Sequence, residues 1–298
     1  MTRQVSPKAA RAELAMLGMT VIWGTSFVVI KTALDDISPV LFLAARFSLA
    51  AVVLAAIYRR QLRPSALGAG LLAGGLLFTA FVFQIEGLAL TTPSKSAFLT
   101  GLSIPLVPFI NSLVYRVRPK KYEVIGILIA SSGMALMTLP TGRLVMSAGD
   151  FLSLLCAVTF ALHFVVIAHF SPIVGFETLA VVQVGVAAVL GFFCAFAFGP
   201  VRFHATPALG AAILAMGLLA TALAFTTMAW AQQYTTAMRI AVILTLEPAV
   251  AWFTSYVVTG EVLALRGKMG AGLILAGVLL VELRSVELRR GKTEKLQV

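Results

Sequence analysis

Ten apolar runs, each near the length that carries an α-helix across a bilayer, divide this 298-residue chain. They fall at about 14–33, 40–58, 66–90, 97–115 and 122–140, then 150–170, 178–199, 208–231, 236–258 and 265–284. A helix needs ~20 consecutive apolar residues to cross the hydrocarbon core. In the last run Arg266 and Lys268 push the apolar part towards 269–283. Charged residues make up 12% of the chain, against about 25% in soluble domains, which excludes a soluble fold. The chain is predicted to be an all-α integral membrane protein of ten transmembrane helices, with the lipid bilayer as its first partner.

The net charge of +11 sits in short clusters between the runs and not on one face, so it is read as a topology signal and not as a nucleic-acid surface. Arg3, Lys8 and Arg11 precede the first run as in a signal peptide, but the run continues to full span length with no small-residue cleavage site. It reads as an uncleaved first helix. With the N-terminus inside, 16 Lys and Arg residues fall on cytoplasmic flanks and 6 outside, while Arg46 lies within a span. Both termini are therefore expected in the cytoplasm. The bias is weaker in the second half, where the loop between spans six and seven holds no Lys or Arg. Cys156 and Cys194 each lie inside an apolar run, which gives no support to a disulfide framework.

Phe27-Val28-Val29-Ile30 returns 137 positions later as Phe164-Val165-Val166-Ile167. The same offset sets Trp23 on Phe160 and Arg46 on Gln183. From the third span onward an offset of 144 fits, as in Phe81/Phe225, Thr91-Thr92/Thr235-Thr236, Phe109/Phe253, Gly126/Gly270 and Gly133/Gly277. One seven-residue insertion reconciles the two offsets, and the recurrence in order argues for duplication. Five helices per copy is an odd number, so the second copy enters the membrane inverted. Inverted repeats are a transporter architecture, with the substrate near the midplane between the copies. The expected organisation is a cytoplasmic segment at 1–13, a first five-helix repeat at 14–140, a second at 150–284 and a basic cytoplasmic tail at 285–298.

The first-helix motif "WGTSFVVIK" from Trp23, "LEPAVAWFTSYVVTGEVL" from Leu246 to Leu263, and the Gly270/Gly277 spacing resemble the drug/metabolite transporter superfamily, in its ten-helix EamA-type branch. The resemblance covers about 14–284. It departs at one point. Gly260-Glu261 follows the fourth helix of the second copy, but the first copy reads Tyr115-Arg116-Val117-Arg118, so no role of that Glu carries over. The resemblance implies a carrier of the bacterial inner membrane that exports amino acids, related metabolites or drugs.

Ionisable side chains inside a span cost about 2.5–3.5 kcal/mol on insertion scales and tend to face a bundle interior or a wet cavity. Arg46, Glu86, His163 and Glu247 are such residues. Arg46 and Glu86 have matching depths, which suits a pair that holds a substrate carboxylate or gates it, or a purely structural ion pair. Glu247 lies mid-span before Pro248, which removes a helical donor and frees a carbonyl; Pro105 and Pro108 mark the corresponding region of span four. A carboxyl group there can bind and release a proton, which makes Glu247 the leading coupling residue and His163 the second, with interhelical hydrogen bonding as the alternative for each.

Trp23 and Phe27 share a helical face, as do Phe160 and Phe164. With Phe83, Trp230 and Trp252 they could line an aromatic cavity or fill a core. Gly126 and Gly133, like Gly270 and Gly277, are seven apart and allow close helix approach within the monomer or in a homo-oligomer.

An intramembrane enzyme with Ser103 of "GLSIP" as nucleophile and His163 as base is the rival from another class; Pro105 stands where the elbow motif needs Gly, and H-E-x-x-H is absent. With no nucleotide loop, no implied cofactor and no metal cluster, transport would be passive or gradient-driven. One cation and two acids in an aromatic cavity suit a zwitterionic amino acid as the small-molecule substrate. The alternatives are an organic cation or drug, a flipped lipid, or a sensor that transports nothing.

Overall fold

The computed structural model describes residues 7–90, 96, 99–116, 118–138, 146–197, 201–259 and 264–294. The first half comprises α1 (Pro7–Ala33), α2 (Pro39–Tyr58), α3 (Leu67–Leu90), α4 (Ser103–Tyr115) and α5 (Lys121–Thr138). The second comprises α6 (Ala148–Val174), α7 (Phe176–Ala197), α8 (Pro207–Ala231), α9 (Ala237–Leu244), α10 (Glu247–Thr259) and α11 (Leu265–Glu294). Among the described residues no strand forms, and one antiparallel bridge joins Ile37 to Phe203.

In lipid every backbone N–H and C=O must be satisfied within the chain, and a helix does this with its own residues. Five stretches, Pro39–Tyr58, Pro64–Leu90, Ala148–Val174, Phe176–Ala197 and Pro207–Ala231, are long and apolar enough to span a membrane, with mean hydropathies of 2.0 to 2.4. The apolar residues are not all inside: Leu113 is 84% exposed and Val52 and Val189 are each 69% exposed. Such a surface suits hydrocarbon and not water.

The helix ends follow local chemistry. Ser147 and Asp150 form a reciprocal capping box that starts α6, at 3.1 and 2.8 Å. Thr206 caps α8 by accepting from Leu209 N, with Pro207 following in the first turn. Gly175 has φ 88°, a conformation open to glycine, and lets α6 reverse into α7 within one residue. At the other end of the chain, α11 stays helical to Glu294, past the boundary at 284 where a tail was expected. Leu, Glu, Lys and Arg are good helix formers outside lipid as well.

Two spans in which Pro105, Pro108 and Pro248 were expected to mark helix breaks are interrupted, each a few residues ahead of its first proline. The run at 236–258 is two helices, α9 and α10, parted at Thr245 and Leu246. A turn at Leu102 likewise separates helical Leu99–Gly101 from α4. Leu102 and Leu246 are 144 residues apart, so both halves break at the same repeat position. Pro105 and Pro248 lie in the first turn after each break; Pro108 lies inside α4, which continues through it, so Pro108 is not itself a break. In α8, Leu218–Leu223 is a π-helical insert between Pro207–Gly217 and Ala224–Ala231.

The halves interleave: α2 packs on α7, α3 on α6 and α7, and α1 on α8 and α10. The closest pairing is α5 with α11, through the four glycines. A Cβ on Gly126 would stand 2.8 Å from the Gly277 carbonyl, and one on Gly133 would stand 2.5 Å from that of Gly270. The contacts cross reciprocally, each glycine of one repeat meeting the partner of its own counterpart.

Loop contacts sort into two ends. At one, Ser38 N donates to Arg202 O (3.0 Å) and His204 N to Asp36 O (2.8 Å). At the other, Thr178 bonds the Gln61–Arg63 turn, Arg239 pairs with Glu13 at 2.7 Å, and Tyr115 stacks on His169 at 3.9 Å.

Candidate functional site

A cavity of about 100 Å³ lies between the halves. The first half contributes Trp23, Ser26 and Ile30 from α1, Arg46 from α2, Phe81 and Gln84 from α3, and Met134 from α5. Thr100, Gly101, Ser103 and Ile104 line it around the break before α4. The second half contributes Phe160 and Phe164 from α6, Phe225 from α8, Leu244 from α9 and Glu247 from α10.

The lining is organised by the repeat. Trp23 and Phe160, Phe81 and Phe225, Thr100 and Leu244, and Ser103 and Glu247 are equivalent positions in the two copies, and all eight line the cavity. Ser103 and Glu247 are the first residues of α4 and α10, immediately after the two breaks. Each follows a tightened turn in which an i→i−3 bond, Leu102 N to Leu99 O or Leu246 N to Ile243 O, interrupts the regular ladder. Broken helices of this kind place polar backbone at mid-membrane depth only where it faces protein or a cavity.

Arg46 is 2% exposed, and its guanidinium lies over the rings of Phe81 (4.9 Å) and Phe47 (5.4 Å). Its Nε donates to Thr221 Oγ1 at 3.0 Å, and that hydroxyl in turn donates to Met216 O at 2.7 Å. The guanidinium carries further N–H donors of the kind that serve a ligand's oxygen atoms. The π-helical insert holds a second lining residue: Trp23 Nε1 donates to Ala220 O at 2.9 Å. An insert that widens the helical ladder is thus tied to two cavity side chains on α1 and α2, a placement typical of functional sites. Gly24 brings α1 against α10, since a Cβ there would lie 2.9 Å from Glu247 O.

Of the residues expected from sequence, Trp23, Arg46, Phe160, Phe164 and Glu247 share this wall. Glu86 does not: it lies partly exposed near the end of α3, and among the described residues no ion pair joins it to Arg46. Gln84, two residues earlier on another face of α3, lines the cavity instead. Phe83 and Trp230 pack against the hydrophobic core, and Trp252 stands beside Tyr256; all three lie off the wall. His163 is buried behind it, with Nε2 facing Gln183 Oε1 at 2.8 Å. The side chains of Phe27 and Pro248 and the whole of Gly260-Glu261 lie outside the described residues.

Sequence reasoning missed Ser26, Gln84, Thr100 and Met134. It named Ser103 only for the enzyme reading, and Phe81 with Phe225 only as repeat markers. The 144-residue offset was the available signal, since it sets Ser103 on Glu247.

The chain matches the EamA-like transporter family over residues 10–139 and 147–283. An "uncharacterized transporter" of Archaeoglobus fulgidus is 32% identical over 278 residues, 93% of this chain and 87% of that protein. An "uncharacterized transporter in sor 3'region" of Acidianus ambivalens is 33% identical over 123 residues, 41% of this chain and 46% of that one. A solved crystal structure with 19% sequence identity superposes with a TM-score of 0.81 over 94% of this chain and 99% of its own, and so shares the fold. The chain belongs to the EamA-like transporter family, as a multi-pass helical membrane protein.

Proposed function

We propose that the chain is a ten-span carrier of the cytoplasmic membrane in which two inverted five-helix repeats, 14–140 and 150–284, alternate access to the cavity between them. The reciprocal glycine contacts of α5 and α11 and the matched breaks before α4 and α10 support the inversion. Loop contacts that join only segments on one membrane face in the ten-span arrangement support it too. The end that carries Glu13 and Arg239 is taken as cytoplasmic, with both termini.

The substrate class is read as a small zwitterion, an amino acid or close relative. One observation carries this: a buried Arg46 and a Glu247 line one small cavity together with five aromatic rings, aliphatic side chains and small polar groups. Arg46 would take a carboxylate through its guanidinium N–H donors. Glu247 would take an ammonium group, or a proton in exchange for it. At about 100 Å³ the cavity lies below the ~300–1,000 Å³ of pockets for drug-sized ligands, which weighs against drug efflux or a flipped lipid. The Ser103 and His163 pairing of the enzyme reading has no support, since Ser103 lines the wall and His163 is sealed behind it.

The test is counterflow in proteoliposomes with a labelled amino-acid panel, set against protein-free vesicles. Specific exchange of one amino acid that is lost in Arg46→Gln supports the reading. Exchange of an organic cation alone, insensitive to Arg46→Gln, would replace it with cation efflux, for which the aromatic wall is also suited.

A further inference from the structure

The cavity takes both members of four repeat-related pairs, and among the residues that line it without their counterparts two are polar side chains whose counterparts are polar as well. Ser26 and Arg46 line it, while their counterparts at the 137-residue offset, His163 and Gln183, do not. Those counterparts are together elsewhere. Both are fully buried, and His163 Nε2 lies 2.8 Å from Gln183 Oε1. With the amide oxygen towards the ring, Nε2 carries the proton and donates.

This leaves His163 Nδ1 and Gln183 Nε2 buried with no hydrogen-bond partner. The first can accept and the second can donate. An interhelical hydrogen bond explains the contact between the two side chains but not the two orphaned groups, each of which costs about 1–3 kcal/mol in a buried place. Nor is the pair far from the cavity. The His163 ring lies 6.0 Å from both Phe164 and Phe225, and both of those line the wall. A single aromatic layer separates the pair from the site.

In an inverted-repeat carrier one repeat rocks against the other around the site at their interface, and where the halves trade conformations a surface that one repeat exposes in one state is exposed by the other in the next. We propose that His163 and Gln183 form a second polar subsite, which opens to the opposite membrane face when the cavity at Ser26 and Arg46 closes. The inference rests on the inverted-repeat carrier reading and extends it. The unused acceptor on His163 and the unused donor on Gln183 complement an ammonium and a carboxylate, so the same zwitterionic head group that Arg46 holds in one state is handed to them in the other.

The test needs no substrate. In a protein with Cys156→Ala and Cys194→Ala, single cysteines are placed as Ser26→Cys, Gln183→Cys and His163→Cys, and each is treated with a membrane-impermeant maleimide from one face and then the other of sealed vesicles. Ser26→Cys is expected to react from one face. Gln183→Cys and His163→Cys are expected to react from the other, about ten- to a thousandfold more slowly, in proportion to a minor state populated at roughly 0.1–10%. Having two positions guards against one variant failing to fold, and each is checked for monodispersity. If both folded variants react from neither face, or from the same face as Ser26→Cys, the subsite is wrong and the pair is helix packing. The carrier reading fails separately, by Ser26→Cys reacting from neither face.

Discussion

The rings of Phe81 and Phe225 meet edge to face, with centroids 6.0 Å apart and planes at 77°, and the two residues hold the same place in the two halves of the chain. A side chain that touches its own repeat counterpart lies on the axis that relates the repeats. Phe81 also meets Phe160 at 5.2 Å and Phe47 at 5.3 Å, while Trp23 meets Phe225 at 5.5 Å. The aromatic cluster on the axis therefore joins α1, α2, α3, α6 and α8. Motion of one half against the other must pass through these ring contacts, and Arg46 is stacked on two of the rings.

Arg46 is expected to need its shape as well as its charge. Arg46→Lys keeps the cation but loses both the Nε bond to Thr221 and the flat face over Phe81. Exchange should fall by at least about tenfold, or ~1.4 kcal/mol, with most of the change in the apparent substrate affinity. Thr221→Val should produce a smaller loss in the same direction, because the guanidinium loses one anchor but keeps its rings. Counterflow across a substrate concentration series checks both, and a loss in Arg46→Lys that is clear but smaller than that in Arg46→Gln is the expected signature.

Two glycines of the second half and one of the first separate packing from composition. Gly133→Ala would set a methyl 2.5 Å from the Gly270 carbonyl, and Gly277→Ala would clash in the same way with α5, whereas Gly272 has nothing within 4 Å. The first two are expected to destabilise by about 1–3 kcal/mol as α5 and α11 are forced apart. Gly272→Ala should be neutral or slightly stabilising. Thermal unfolding in detergent, followed by size exclusion, ranks the three.

How far the site could be read from sequence follows from what each residue type signals. Arg46 and Glu247 stood out because charge inside a span is costly, and Trp23, Phe160 and Phe164 because they fell on faces that the repeat paired. Phe83, Trp230 and Trp252 were chosen by type alone, and helical phase turned them away from the wall. Ser26, Thr100 and Ser103 were silent, since small hydroxyls in apolar helices usually bond their own backbone, as Ser26 does to Trp23 O at 2.7 Å. The π insert at Leu218–Leu223 leaves an apolar run unchanged in composition, so nothing in the sequence marks it. The break at Thr245–Leu246 was legible through Pro248, and its partner at Leu102 through Pro105 and the repeat.

Glu13 accepts from Arg239 at 2.7 Å and from Thr235 Oγ1 at 3.0 Å, with side chains about a tenth exposed, at the end of the bundle where Tyr115 also stacks on His169. These contacts tie the helix ends together at that end of the bundle. Glu13→Gln or Arg239→Gln leaves a mostly buried charge unpaired and should shift the protein towards the state open at that face. Maleimide labelling of Gln183→Cys should then speed up by about tenfold, while labelling of Ser26→Cys slows. The reversed pair, Glu13→Arg with Arg239→Glu, should return both rates towards their starting values, as expected for coupled partners. Rates unaltered in all three variants would make the pair a surface contact with no part in gating.

Among the described residues Glu247 is the one carboxylate on the cavity wall, placed by the break before α10 and matched in the other repeat by the neutral Ser103. If it carries the coupled proton, its charge must alternate within each cycle. Glu247→Gln has the same shape but is fixed in one state. Exchange of substrate for substrate needs no proton release, so counterflow should persist within about threefold, under ~0.7 kcal/mol. Uphill movement driven by an imposed pH gradient should vanish, because the variant cannot return the proton. In the native protein, acidifying the side that receives substrate should accelerate efflux, and in Glu247→Gln it should not. A native flux that ignores the gradient would make the carrier passive and leave Glu247 with the ammonium of the substrate alone. The two roles then part cleanly, since an ammonium-binding carboxylate lost to Gln abolishes counterflow along with everything else.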